Sequence, residues 1–149
     1  MRAVVQRIRG CSVRVDERRT GATDQGLLVY LGVGREDTDR DAQILCDKVL
    51  NLRIFSDEAG RMNLSVLDTR GGIMVVSQFT LYGDARQGRR PSYTEAADPQ
   101  KARALYERAL ELFSESGLPV ASGEFQAKME VASTNVGPVT ILLDTEKRF

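Results

Sequence analysis

The sequence contains no histidine and no tryptophan, only two cysteines, and no charge of either sign in excess: 21 Lys and Arg stand against 21 Asp and Glu over 149 residues. Each absence removes a class of function. Without imidazole there is no Ser-His-Asp or Cys-His arrangement within the chain and no histidine-based zinc site. Two cysteines are too few for a four-thiolate metal centre. Cys11 and Cys46 lack CxxC spacing and read as reduced, buried thiols. The balanced charge argues against coating nucleic acid by bulk electrostatics. Apolar runs such as residues 27–31 are far too short to span a membrane, and the opening Met1-Arg2-Ala3-Val4-Val5 is strand-like rather than a leader. What is present, 42% hydrophobic and 28% charged residues, describes an ordinary globular protein, read as one domain over residues 1–149.

The periodicities predict an α+β fold. Residues 1–9 and 12–17 read as strands with a turn or bulge at Gly10-Cys11, followed by a polar hairpin connection over 18–21. Residues 26–33 form an apolar run suited to a strand buried on both faces. Thr38 with Asp41 three positions on opens a helix whose Ala42, Leu45, Val49 and Leu52 form one stripe. Residues 57–60 form a turn, and 73–80 a central strand turning polar at its end. Asp98-Pro99 opens a second helix, with Ala102, Leu105, Tyr106, Ala109, Leu112 and Phe113 inward and Gly117 as its stop. Residues 123–134 and 139–143 read as two strands joined at a corner over 135–138. Two principal helices among about seven strands predict a mainly antiparallel, barrel-like sheet.

Three segments are candidates for chemistry. Ser77-Gln78-Phe79-Thr80 ends an apolar strand: it is either a half-exposed strand end or the floor of a polar pocket whose backbone N–H groups face an oxyanion. Asn135-Val136-Gly137-Pro138-Val139-Thr140 is either a plain hairpin corner or a built loop. Arg86-Gln87-Gly88-Arg89-Arg90-Pro91 is either a solvated loop or a phosphate clamp. Six arginines against two carboxylates in the first twenty residues tilt that region toward a polyanion. Tyr82, Tyr93 and Tyr106 are candidates for stacking on bases, with core packing the alternative.

Read together, the motifs resemble the D-aminoacyl-tRNA deacylases. The likeness is carried by Met1-Arg2-Ala3-Val4-Val5-Gln6-Arg7, the run 26–33, Leu52-Arg53-Ile54-Phe55, Met62-Asn63-Leu64-Ser65, Val75-Val76-Ser77-Gln78-Phe79-Thr80-Leu81, Arg90-Pro91-Ser92, Ala96-Ala97-Asp98-Pro99 and Gly137-Pro138-Val139-Thr140, in order along the whole chain. One position departs: Val136 stands where the family pattern has Asp. The resemblance implies a cytoplasmic homodimer, with active sites at the subunit interface, that hydrolyses the ester between a D-amino acid and the 3′ end of tRNA. It implies neither cofactor nor metal, and neither a membrane nor a DNA partner. It assigns the catalytic segment to Ser77, Gln78, Phe79 and Thr80. It makes Gly137 and Pro138 a cis-proline motif that reaches into the partner's site and rejects L-amino acids. Arg7 and Met129 are candidates for loop or pocket support, and Arg89 and Arg90 for RNA contact.

That chemistry has to proceed without imidazole. Thr80 has no base beside it in sequence, so the expected activator of water is the tRNA's own 2′-OH, with the Phe79 and Thr80 amides holding the carbonyl oxygen. Carbonyls of Gly137 and Pro138 accepting from the substrate ammonium would exclude an L side chain and admit glycine. The alternatives are a non-catalytic dimeric module that binds tRNA ends, or a cofactorless esterase of small substrates.

Overall fold

A computed structural model describes all residues 1–149. In chain order the elements are β1 (Arg2–Val15), β2 (Arg18–Thr23), β3 (Gly26–Gly32), α1 (Asp39–Leu50), β4 (Phe55–Ser56), β5 (Met62–Leu64), α2 (Val66–Thr69), β6 (Gly72–Ser77), a 3₁₀ turn (Phe79–Tyr82), α3 (Pro99–Glu115), β7 (Val120–Ser122) and β8 (Met129–Asp144). β1 organises the main sheet. One edge pairs antiparallel with β3 along its first half and with β2 along its second, and the other edge pairs antiparallel with β8 from end to end. β3 then pairs parallel with β6, and β6 parallel with β7. β2 and β7 come side by side at Gly21, where a Cβ would lie 2.6 Å from the Ser122 carbonyl oxygen. The residue lacking one is what lets the sheet curl almost closed into a barrel.

Alternation along the strands separates two cores. Leu27, Val29 and Leu31 of β3, with Ile73 and Val75 of β6, face α1 and α3. Leu28, Met74 and Val76 face the barrel interior with Ile8 and Val13. Both faces of these strands are therefore covered, which is why they read as unbroken apolar runs. The helices form as their caps predict. Thr38 and Asp41 make a capping box on α1, and Asp98 accepts from the Gln100 and Lys101 amides on α3. Ala42, Leu45 and Val49 are buried from α1, and Leu105, Tyr106, Ala109 and Phe113 from α3. Tyr106 Oη donates to the Val75 carbonyl at 3.0 Å, fastening α3 to β6. No helix is long and apolar enough to cross a membrane.

Several local expectations are corrected. β1 runs through Gly10-Cys11 without a turn, and of the two alternatives there the bulge is the one observed, a register shift against β8 between Ile8 and Gly10. The hairpin turn sits at Asp16-Glu17, with Asp16 at φ 53°, so residues 18–21 belong to β2. Leu52 lies beyond the end of α1. The central strand stops at Ser77, and a short α2 appears at a Ser65–Asp68 capping box. Residues 135–138 are not a hairpin corner. Asn135 pairs with Ile8 and Thr140 with Gln6, so both flanks follow β1 in one direction and residues 136–139 bulge out opposite Arg7.

Both thiols are free and buried, and burial pushes Cys11 up to about 11 and Cys46 up to about 12. Neither is a thiolate near neutrality. Ellman's reagent at pH 8 is expected to find no thiol in the native protein and two after unfolding in urea. A native thiol reacting within minutes would contradict this burial.

Candidate active site

β6 delivers the polar segment to the mouth of the barrel. Ser77 is its last residue, opposite Leu31, and the Gln78 amide continues the ladder by donating to the Leu31 carbonyl at 2.8 Å. The chain then tightens into the 3₁₀ turn: the Leu81 amide reaches the Gln78 carbonyl at 3.3 Å and the Gly83 amide the Thr80 carbonyl at 2.9 Å. The first amides of such a turn have no partner within it. Those of Phe79 and Thr80 donate to no loop, cap or side-chain acceptor.

Beside this turn lies a cavity of about 540 Å³, within the range of small-ligand sites. Ser77, Gln78 and Phe79 form one wall, Phe125 and Gln126 with Met129 and Val131 another, and Ala97, Pro99 and Ala102 close it from the start of α3. None of its 14 lining residues carries a side chain that ionises near neutral pH. Thr80 is exposed and is not part of the lining; its Oγ accepts a hydrogen bond from Gln78 Nε2, and no carboxylate or amine bonds to it. Ser77, Gln78, Phe79 and Met129 are thus brought together, and Thr80 stands just outside. Sequence reasoning missed Phe125, Gln126 and Val131. The first two belong to a loop before β8, where Gln126 adopts φ 64°, and no glycine or proline at that position marks the turn.

The Gly137-Pro138 segment lies elsewhere. Its peptide bond is cis, Gly137 has φ 119°, and both residues are exposed. Met129 lines the cavity, whereas Gly137 sits eight residues further along β8, roughly 25 Å of extended chain. Arg7 of the same chain braces the bulge: its Nε donates to the Val136 carbonyl at 3.2 Å and its Nη1 to the Ile54 carbonyl at 2.6 Å. Asn135 completes the brace, accepting from the Val139 amide at 3.2 Å and donating to Thr140 Oγ1 at 3.0 Å. Only the first of these contacts involves residue 136, and it uses the backbone carbonyl, so valine there costs the bulge none of them.

Of the remaining candidates, Arg86 is committed to Asp84 through two guanidinium hydrogen bonds and a third from its amide, which hold the Asp84 carboxyl well below the usual range. Arg89 and Arg90 are exposed and have no ion-pair partner, but they lie off the cavity. Tyr106 is core, its hydroxyl pushed up to about 12 by burial. Tyr82 is also core, pushed up by burial and by the charge of Asp37. Only Tyr93 of the three is open to solvent.

Comparison with known proteins gives the family. Residues 4–144 match the family described as D-Tyr-tRNA(Tyr) deacylase. The chain is 59% identical to the D-aminoacyl-tRNA deacylase of Thermotoga petrophila and 55% identical to that of Thermosipho melanesiensis, covering 100% of each chain and of this one. Among solved structures, one titled c-Myc DNA Unwinding Element Binding Protein superposes with a TM-score of 0.91 at 38% identity, covering 97% of this chain and 99% of its own. A probable eukaryotic D-amino acid tRNA deacylase shares the fold, with a TM-score of 0.83 at 17% identity, over 95% of this chain and 97% of its own. These matches define an enzyme of the hydrolase class, one that removes acyl groups. Within that class, the chain belongs to the D-Tyr-tRNA(Tyr) deacylase family.

Proposed function

We propose that the protein hydrolyses the ester joining a D-amino acid, or glycine, to the 3′-terminal adenosine of tRNA in the cytoplasm, and that it works as a homodimer. One observation carries the mechanism: the cavity has no side chain that ionises near neutral pH, yet two amides with no loop, cap or side-chain acceptor open the turn at its rim. Such a site stabilises a tetrahedral oxyanion and does not itself take a proton. The Phe79 and Thr80 amides hold the carbonyl oxygen, and the adjacent 2′-OH of the substrate orients the attacking water, takes up its proton and passes its own to the departing 3′-oxygen. No proton acceptor from the protein is needed.

Chiral selection comes from the partner subunit. The distance along β8 keeps a chain's own Gly137-Pro138 bulge from its own cavity, and the bulge is braced from beneath with its outer side exposed. Inserted into a partner's cavity, its carbonyls accept from the α-ammonium, an L side chain collides with them, and a D side chain or the hydrogen of glycine does not. Arg89 and Arg90, free of ion pairs, take phosphates of the acceptor end.

The test is loss of label from D-tyrosyl-, glycyl- and L-tyrosyl-tRNA. The first two are expected to be deacylated and the third spared. Intact label on all three, with binding retained, would instead make the protein a tRNA-end-binding module. Thr80→Ala is expected to keep kcat within a few-fold of the parent, because Thr80 Oγ faces Gln78 and no base. Removing a true nucleophile costs on the order of 10⁴-fold or more, so a fall of that size would make Thr80 the nucleophile.

A further inference from the structure

A second depression, an open groove of about 680 Å³, adjoins the cavity and shares Phe79 and Ala97 with it. Its floor is an aromatic pair. Phe79 and Tyr93 meet edge to face with ring centroids 5.1 Å apart, and they remain 57% and 38% exposed. Scattered exposed aromatics are ordinary, but this pair is held in place. The strands of chain at Asp84 and Ser92 exchange two backbone hydrogen bonds, at 2.8 and 2.9 Å, immediately before Tyr93. The Tyr93 carbonyl accepts from the Ala96 amide at 3.0 Å, and its ring lies over Gly83, where a Cβ would come within 3.1 Å of Cε1. The ring is thus ordered before any ligand arrives, although it contributes to neither core cluster.

One cation of the groove is free to meet a phosphate. Arg35 lines the groove with no ion-pair partner, its Nη1 donating only to the Thr94 carbonyl at 3.4 Å. Two carboxylates also border the groove, Glu36 and Asp98, the latter turned to the amides that cap α3, and Lys101 Nζ donates to the Arg35 carbonyl beside them. A π-face beside an unpaired guanidinium suits a single-stranded nucleotide, which offers a base to stack and a phosphate to pair.

We propose that this groove is a subsite for the penultimate nucleotide of the tRNA 3′ strand, with its base stacked on Tyr93 and the phosphate joining it to the terminal adenosine near Arg35. The assignment rests on the deacylase reading above: with the terminal adenosine at the cavity, the next nucleotide leaves over the wall that the two depressions share. The test compares kcat/KM on a D-tyrosyl ester of the dinucleotide CpA with that on D-tyrosyl-adenosine. The parent is expected to gain about tenfold from the added nucleotide, the lower part of the range for one base stacked on one ring. Tyr93→Ala should reduce that ratio to near one, and Tyr93→Phe, which keeps the ring, should restore it. A ratio near one in the parent, or an undiminished ratio in Tyr93→Ala, overturns the subsite. Hydrolysis of D-tyrosyl-adenosine without that gain overturns the subsite alone, whereas no hydrolysis of either ester or of D-tyrosyl-tRNA overturns the deacylase reading with it.

Discussion

Replacing the 2′-OH of the terminal adenosine with hydrogen is expected to lower kcat on D-tyrosyl-tRNA by about a hundredfold or more, with KM nearly unchanged. The reasoning is one of elimination within the cavity. Water attacks an ester slowly unless something orients it and accepts its proton, and a positioned acid–base group contributes about 10²–10⁴-fold. The walls offer a serine hydroxyl, two amides and apolar side chains, none of which titrates near neutral pH. The nearest hydroxyl outside, Thr80 Oγ, has only Gln78 as partner. The group left to do this work is the one the substrate brings with it, on the ribose carbon next to the ester. Removing it leaves the oxyanion contacts and the binding intact, so the loss falls on kcat. The same logic fixes the pH profile: no limb should trace to a side chain of the lining, and the substrate's α-ammonium supplies the one ionisation at the reaction centre. Turnover of the deoxy substrate at the parent rate would sink the mechanism.

Sequence made the cavity partly legible because part of it is local. Ser77, Gln78 and Phe79 are consecutive, and they reach the mouth because an apolar strand ends there. The opposite wall, Phe125 and Gln126, reaches the cavity through a loop between β7 and β8, and nothing in the spacing of those residues specifies the far side of a barrel. The bulge at 136–139 was hidden for a related reason. A Gly-Pro pair between two β-rich stretches fits a hairpin corner as well as an excursion from one strand, and the register against Gln6 and Ile8 decides between them. The direction of the β3, β6 and β7 pairings is legible in the chain order. α1 lies between β3 and β6 in the chain, and α3 between β6 and β7. A strand–helix–strand order with both strands in one sheet is the signature of a parallel pair.

Asp37→Asn is expected to destabilise the protein by about 3–5 kcal/mol, the cost of breaking a buried ion pair from one side. Asp37 is 4% exposed, and both its oxygens are in use. Oδ1 accepts from the Met1 ammonium at 2.6 Å, while Oδ2 accepts from the Gly34 amide at 2.5 Å and from Tyr82 Oη at 3.2 Å. Asparagine has the same shape but one oxygen and an NH₂. Whichever way it turns, it points hydrogens at a donor and leaves the fully buried ammonium with no carboxylate bonded to it, Thr145 Oγ1 remaining as its side-chain acceptor and the charge of Asp41 acting on it only from beyond that contact. The consequence reaches the site, because Tyr82 ends the turn that carries Phe79 and Thr80. That turn is moored at two points: Tyr82 to Asp37, and the Leu81 carbonyl to Arg2 Nη1 at 3.0 Å, with the Arg2 guanidinium lying 4.4 Å over the Tyr82 ring. Urea unfolding provides the measurement. With a slope of about 1–3 kcal/mol per molar for a domain of this kind, the midpoint should fall by about 2 M. Tyr82→Phe, which removes one donor and keeps the charge pair, should cost about 1–2 kcal/mol. If Asp37→Asn unfolded within 1 kcal/mol of the parent, the buried pair would not be holding this end of the barrel, and the turn at the cavity rim would owe its position to the Arg2 contacts alone.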